Sequence, residues 1–200
     1  MMEISLKQNL RIIALLLFLV VTTQAVYTAL HVVANDVPRR WLWGLEALIF
    51  VLLAAFAGSM LVQIKNYALG FAAVFASAVL NVVQVGVGLT QFGPFFEAAK
   101  SAEAFAPAAS AVVAYSFFIY NAAKVLLGLS AVVFGLVVAK QGANFLGKLT
   151  ALVGLVAIVA NTIAMMFGRI DAVPSGATGV LATLLLAVCV LKLEAEDKAT

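Results

Sequence analysis

Lys124 and Glu46 are the two charges that sit well inside the long apolar runs of this chain. An ion in hydrocarbon is costly to place, so each is a default candidate for function. A central lysine must pair with a carboxylate or give up its proton, because desolvation disfavours the charged form. As a cation it would hold an anionic or carbonyl-bearing group. As a free amine in a dry pocket it would serve as a nucleophile or general base, with Tyr115, Tyr120 and Asn121 as its local companions.

Five amides share its depth band. Taking each apolar run's midpoint as the bilayer centre and ~1.5 Å rise per residue, Gln24, Gln84, Asn121 and Asn161 fall at or slightly outward of the midplane, with Asn81 and Lys124 near it. Tyr27 and Glu46 lie further out, and His31 reaches the outer interface. A pocket lined by these groups would open outward. The bland reading of each amide is interhelical hydrogen-bond glue worth on the order of 1 kcal/mol.

Glu46 follows Trp41 and Trp43, and its stripe continues as the apolar Phe50, Leu53, Ala57 and Met60. It either snorkels outward beside Arg39 or Arg40 or guards a cavity mouth with Tyr27 and His31. Its distance from Lys124 depends on where the fourth helix enters lipid: near Ser110 the two are offset by roughly 13 Å, near Tyr115 by about 5 Å. Only the second allows contact.

Other chemistries lack their residues. Cys189 is the one cysteine, which excludes an intramolecular disulfide and paired-thiol redox chemistry. His31 is the one histidine, too few for bis-histidine haem or a histidine-rich metal centre. No phosphate loop, nucleophile motif, acidic pair or zinc motif occurs. The expectation is a chain without cofactor, and a catalytic role is the minority reading.

The elements that must position these groups are membrane helices. The chain is 65% hydrophobic and 10% charged, with mean hydropathy +1.14, far above the roughly 45 to 50% apolar content of soluble domains. Apolar segments fall at about 9–34, 41–63, 67–91, 111–139, 146–168 and 175–192, each near the ~20 residues a span requires. The fold expected is therefore all-α: one bundle of six transmembrane helices forming a single domain over 1–200. Lys7 and Arg11 give the N-terminus a signal-like start, but the apolar pattern runs on to about Ala34, too long for a secretory h-region, so it reads as a retained first helix.

The net charge of +3 reports orientation here, not nucleic-acid binding. With the N-terminus inside, seven basic residues are cytoplasmic (Lys7, Arg11, Lys65, Lys140, Lys148, Lys192, Lys198) against four outside (Arg39, Arg40, Lys100, Arg169). That predicts an N-in/C-in topology. The long external connection between the third and fourth helices places Phe95, Ala98, Ala102 and Phe105 opposite Glu97 and Lys100. This spacing predicts a short interfacial helix.

Small and polar faces mark helix contacts in lipid. The third span carries Gly70, Val74, Ser77, Asn81, Gln84, Gly88 and Gln91, and the fifth Gly147, Thr150, Gly154, Ala157, Asn161, Ala164 and Gly168, so these two are the expected central helices. The fourth carries Lys124 with Gly128 and Gly135, which either admit a neighbour closely or leave room for a ligand. The sixth, with Gly176, Gly179, Thr183 and Ala187, reads as a close-packing seam. Asn followed seven residues later by Gly recurs at Asn81, Asn121 and Asn161, and residues 69–88 match 149–168 loosely, which would fit a duplicated hairpin.

The reading that follows is a multi-pass protein that binds or transports a small anionic or carbonyl-bearing molecule. Its outward-facing pocket would use Lys124, Asn121, Asn81, Gln84, Asn161, Gln24, Glu46, Tyr27 and His31. The alternative is a noncatalytic accessory subunit docking a membrane-protein partner, or a second copy of itself, through the Gly/Ala stripes; a membrane enzyme acting on a lipid or quinone comes third. The lipid bilayer is the partner common to all. The sequence has no Asn-x-Ser/Thr sequon, which is compatible with a bacterial inner membrane.

Overall fold

The computed structural model describes residues 4–33, 39–168, 170 and 174–195. Its helices are α1 (Leu6–Val33), α2 (Arg40–Gln63), α3 (Ala68–Thr90), α4 (Phe92–Ser101), α5 (Ala106–Lys140), α6 (Asn144–Phe167) and α7 (Ser175–Lys192), with a 3-10 turn at Glu103–Phe105 before α5. Six of these segments are long and apolar enough to cross a membrane. The protein is a multi-pass helical membrane protein.

Helix ends follow local chemistry. α5 begins five residues before the expected start because Pro107 falls in its first turn, where a missing N–H costs nothing and the fixed φ favours the helix. Gly142 turns the chain from α5 to α6 at φ +107, a conformation open to glycine and strained for other residues. The loop helix is shorter than its apolar spacing predicts. α4 ends where Ala102 turns extended at φ −153, ψ 126, so Phe105 belongs to the 3-10 turn instead. At 35 residues, α5 is ~52 Å long, well beyond the ~30 Å of hydrocarbon, and projects with α4 from the end of the bundle opposite the chain termini.

The helices form a closed ring in the order α1, α2, α3, α5, α6, α7 and back to α1, with α5 also touching α7 across it. The core is built from Ile13, Leu17 and Val20 of α1, Phe50, Leu53 and Met60 of α2, Phe71 and Val74 of α3, Leu127 and Phe134 of α5, and Leu186 and Val190 of α7. Phe71 and Phe134 pack at 4.7 Å between centroids.

α3 is embedded as its stripe predicts, but α6 is not central. It gives no residue to the main buried core and leaves Phe145, Leu152, Met166 and Phe167 exposed. Its small residues serve to dock it on α5. A Cβ on Gly128 would lie 2.9 Å from the Gly154 carbonyl, one on Gly135 would lie 2.7 Å from the Gly147 carbonyl and the Ala151 nitrogen, and one on Gly147 would collide with Ala139 and Gly135. Of the two uses open to Gly128 and Gly135, the structure shows close approach. The facing pairs are symmetric about Gln141, so the Asn121…Gly128 and Gly154…Asn161 spacings are mirror images across one antiparallel hairpin. Cys189 of α7 completes this side by donating its thiol to Thr150 Oγ1 at 3.2 Å.

Candidate functional site

Lys124 is completely buried, with 0% of its surface exposed, and three helices position it. α5 presents it to the ring's interior. α7 passes over its aliphatic stem at Gly179, where a Cβ would stand 2.9 Å from Lys124 Cδ and 3.0 Å from Cγ. α1 supplies the acceptor: Lys124 Nζ donates to Gln24 Oε1 at 2.7 Å. The Tyr120 ring, one turn before it on α5, adds its face at 5.2 Å from Nζ. Gly179 was read from the sequence as a packing seam, and the seam is with the lysine itself.

Glu46 turns inward, not toward the arginines. It is buried, 8% exposed, and its Oε1 stands 3.4 Å from Thr23 Oγ1, a hydroxyl that also donates to Val20 O at 2.9 Å. The Gln24 amide nitrogen faces this carboxylate without reaching a hydrogen-bond partner. The order in space is therefore carboxylate, amide, ammonium. The amide's negative end takes the Lys124 ammonium, and its positive end is turned toward Glu46 without bonding it. Gln24 thus lies between the two charges.

The remaining amides face separate seams. Ser77 donates to Ala123 O at 2.8 Å and Gln84 Nε2 to Ser116 Oγ at 3.2 Å, which ties α3 to α5. Asn81, Asn121 and Asn161 each donate back to the carbonyl four residues earlier, at 2.9, 2.7 and 2.8 Å, and Asn161 also reaches Ser175 O at 3.3 Å. Each of the three leaves its Oδ1 buried without a donor, an uncommon state for a buried acceptor.

Toward the projecting end, Tyr27 stacks on Trp43 at 6.2 Å, Trp43 meets Phe92 edge-on at 5.9 Å, and Phe92 meets Phe96 at 5.7 Å. Arg39 lies over the Tyr27 ring at 5.2 Å. This aromatic row links α1, α2 and α4 at the end of the bundle nearest Glu46. Tyr27, Trp43 and Arg39 are among the residues that the sequence points to; Phe92 is not. The His31 side chain, Arg169 and Lys198 lie outside the described residues.

Gln24, Glu46 and Lys124 are thus brought together, joined by Thr23, Tyr120 and Gly179. Lys124 has no exposed surface, so no water-sized space touches it. Two clefts lie elsewhere. One of ≈ 370 Å³ is between the ends of α1 and α7, and one of ≈ 520 Å³ is on the outer face of α6 at Asn144, Phe145 and Lys148. Among the described residues no three His, Cys, Asp or Glu side chains converge. Chemically the site offers one ammonium, one carboxylate, an amide and a hydroxyl in a dry interior. Comparison with protein-family models, curated proteins and solved structures finds no match.

Proposed function

We propose that the protein binds or transports a small anionic or carbonyl-bearing molecule that engages Lys124 from the outward side. One observation carries this reading: a fully buried ammonium is held by a neutral amide acceptor, with no carboxylate paired to it among the described residues. A carboxylate-held lysine would be locked, because removing either partner strands a buried charge. An amide-held lysine can exchange one acceptor for another. An incoming carbonyl or anion takes the ammonium, and Gln24 is released toward Glu46. Entry from the outward side requires the aromatic row around Trp43 to part.

Seven basic residues against four favour placing both termini in the cytoplasm, with the α4 segment, none of whose side chains is buried, resting at the external interface of a cell inner membrane. The accessory-subunit alternative relied on Gly/Ala stripes free to dock a partner. Those of α5 and α6 are spent on each other, which leaves the binding reading ahead.

The test is a thermal-shift screen of the purified protein against small carboxylates, phosphates and carbonyl compounds. One class should stabilise the native chain and lose its effect on Lys124→Met. Equal stabilisation of the folded variant would refute the role of the lysine.

A further inference from the structure

Independently of Lys124, the cleft at the terminal end of the bundle has the features of a lipid site. It encloses ≈ 370 Å³ between the first turns of α1 and the last of α7, lined by Lys7, Leu10, Arg11, Val190, Leu193 and Glu194 among others. Leu10, Val190 and Leu193 are buried and form an apolar floor. Lys7 and Arg11 are exposed and one turn apart on α1. Neither forms an ion pair with Glu194 among the described residues.

Glu194 is held in place by its backbone. Its carbonyl accepts from Gln141 Nε2 at 2.7 Å and its N–H donates to Gln141 Oε1 at 3.1 Å. Two cations on one wall and an exposed carboxylate, carried on an anchored stretch of backbone, on the other match a ligand carrying both signs.

The α1 face continues the pattern. Lys7, Arg11, Leu15 and Leu19 recur at steps of four, and Leu15 is 58% and Leu19 40% exposed; on α7 Leu191 and Leu184 are exposed as well. The cations thus stand at the head of an apolar track, and from Arg11 to Leu19 it runs about 12 Å along the helix. Headgroup charge above and acyl surface below match one amphiphile.

We propose that this cleft seats an aminophospholipid, its phosphate on Lys7 and Arg11, its primary ammonium on Glu194 and an acyl chain along Leu15 and Leu19. Phosphatidylcholine carries the same phosphate but cannot donate a hydrogen bond to Glu194, and phosphatidylglycerol lacks the cation altogether.

The experiment is native mass spectrometry of the full chain in detergent micelles doped with phosphatidylethanolamine, phosphatidylcholine or phosphatidylglycerol of equal chain length, with glycerophosphoethanolamine as the chain-free headgroup. Phosphatidylethanolamine should be retained about threefold over the other two, the range expected of one added exposed ion pair. Glu194→Gln should erase that preference while keeping lipid bound, and the Lys7→Gln, Arg11→Gln pair should bring retention to the level of bulk micelle lipid. These surface changes leave the core intact, so folding does not confuse the outcome. No preference among the lipids, a preference for phosphatidylglycerol, equal retention of glycerophosphoethanolamine, or an unchanged preference in Glu194→Gln would overturn the proposal.

Discussion

Removing Gln24 should cost more than removing the lysine it serves, and removing both should cost less than their sum. In Gln24→Leu the Lys124 ammonium keeps its 0% exposure but loses its acceptor at 2.7 Å. Stranding a buried charge costs about 3 to 5 kcal/mol; the Tyr120 ring face is present before and after the change and does not reduce the difference. In Lys124→Met the stem beneath Gly179 is largely preserved, and the loss is about 1 to 3 kcal/mol for an unsatisfied Gln24 carbonyl. The double variant has neither orphan, so the coupling should be about 1 to 3 kcal/mol. Unfolding in mixed micelles can be followed by the fluorescence of Trp41 and Trp43, the two tryptophans, the second of which is packed between Tyr27 and Phe92. Losses that add to within about 0.5 kcal/mol would refute the geometry, since side chains that add so closely do not share a buried contact.

Other consequences can be measured the same way. Glu46→Gln should lower stability by about 1 kcal/mol in the native background and by clearly less in Lys124→Met; an equal loss in both would separate the carboxylate from the lysine. Gly179→Ala should destabilise the native chain, because its Cβ would lie 2.9 Å from Lys124 Cδ, and should be harmless beside Lys124→Ala, a reversal seen directly in melting temperature. Gly135→Ala drives a methyl to 2.7 Å of α6 backbone atoms and should cost about 1 to 3 kcal/mol. Gly86→Ala meets nothing within 4 Å and should gain up to about 1 kcal/mol from helix propensity. The two alanine variants should therefore shift in opposite directions.

The membrane helices were readable because hydropathy over some twenty residues integrates many weak preferences into one strong one. Single positions were readable where a residue type admits few environments. Lys124 was found because an ammonium inside an apolar run has few uses. Glu46 was found for the same reason, but its direction was not, since a glutamate five residues from a tryptophan anchor fits an outward or an inward rotamer equally well. The partner of the Gly179 seam was not legible, because one glycine pattern serves both helix packing and a passing side chain, and sequence does not say what passes. The peripheral place of α6 was hidden by the same ambiguity. Its stripe of Gly147, Thr150, Gly154 and Asn161 looks like a central face, yet small residues also let a helix ride closely on the outside of another. Gly93 and Pro94 after Phe92 signal a break in the sequence, yet both fit within the first turn of α4.

The closure of the helix ring at α1 and α7 has a consequence for how the chain is made. A ribosome delivers helices in order, at about 5 to 20 residues per second, so Gln24 and Glu46 enter the bilayer well before Lys124 exists. Until α5 arrives, the carboxylate and amide have each other and no cation, and until α7 arrives nothing covers the lysine's stem. The nascent bundle is therefore a polar-cored, open crescent whose last helix is also its keystone. Membrane quality control that recognises exposed intramembrane charge would distinguish unfinished chains from finished ones at this one seam.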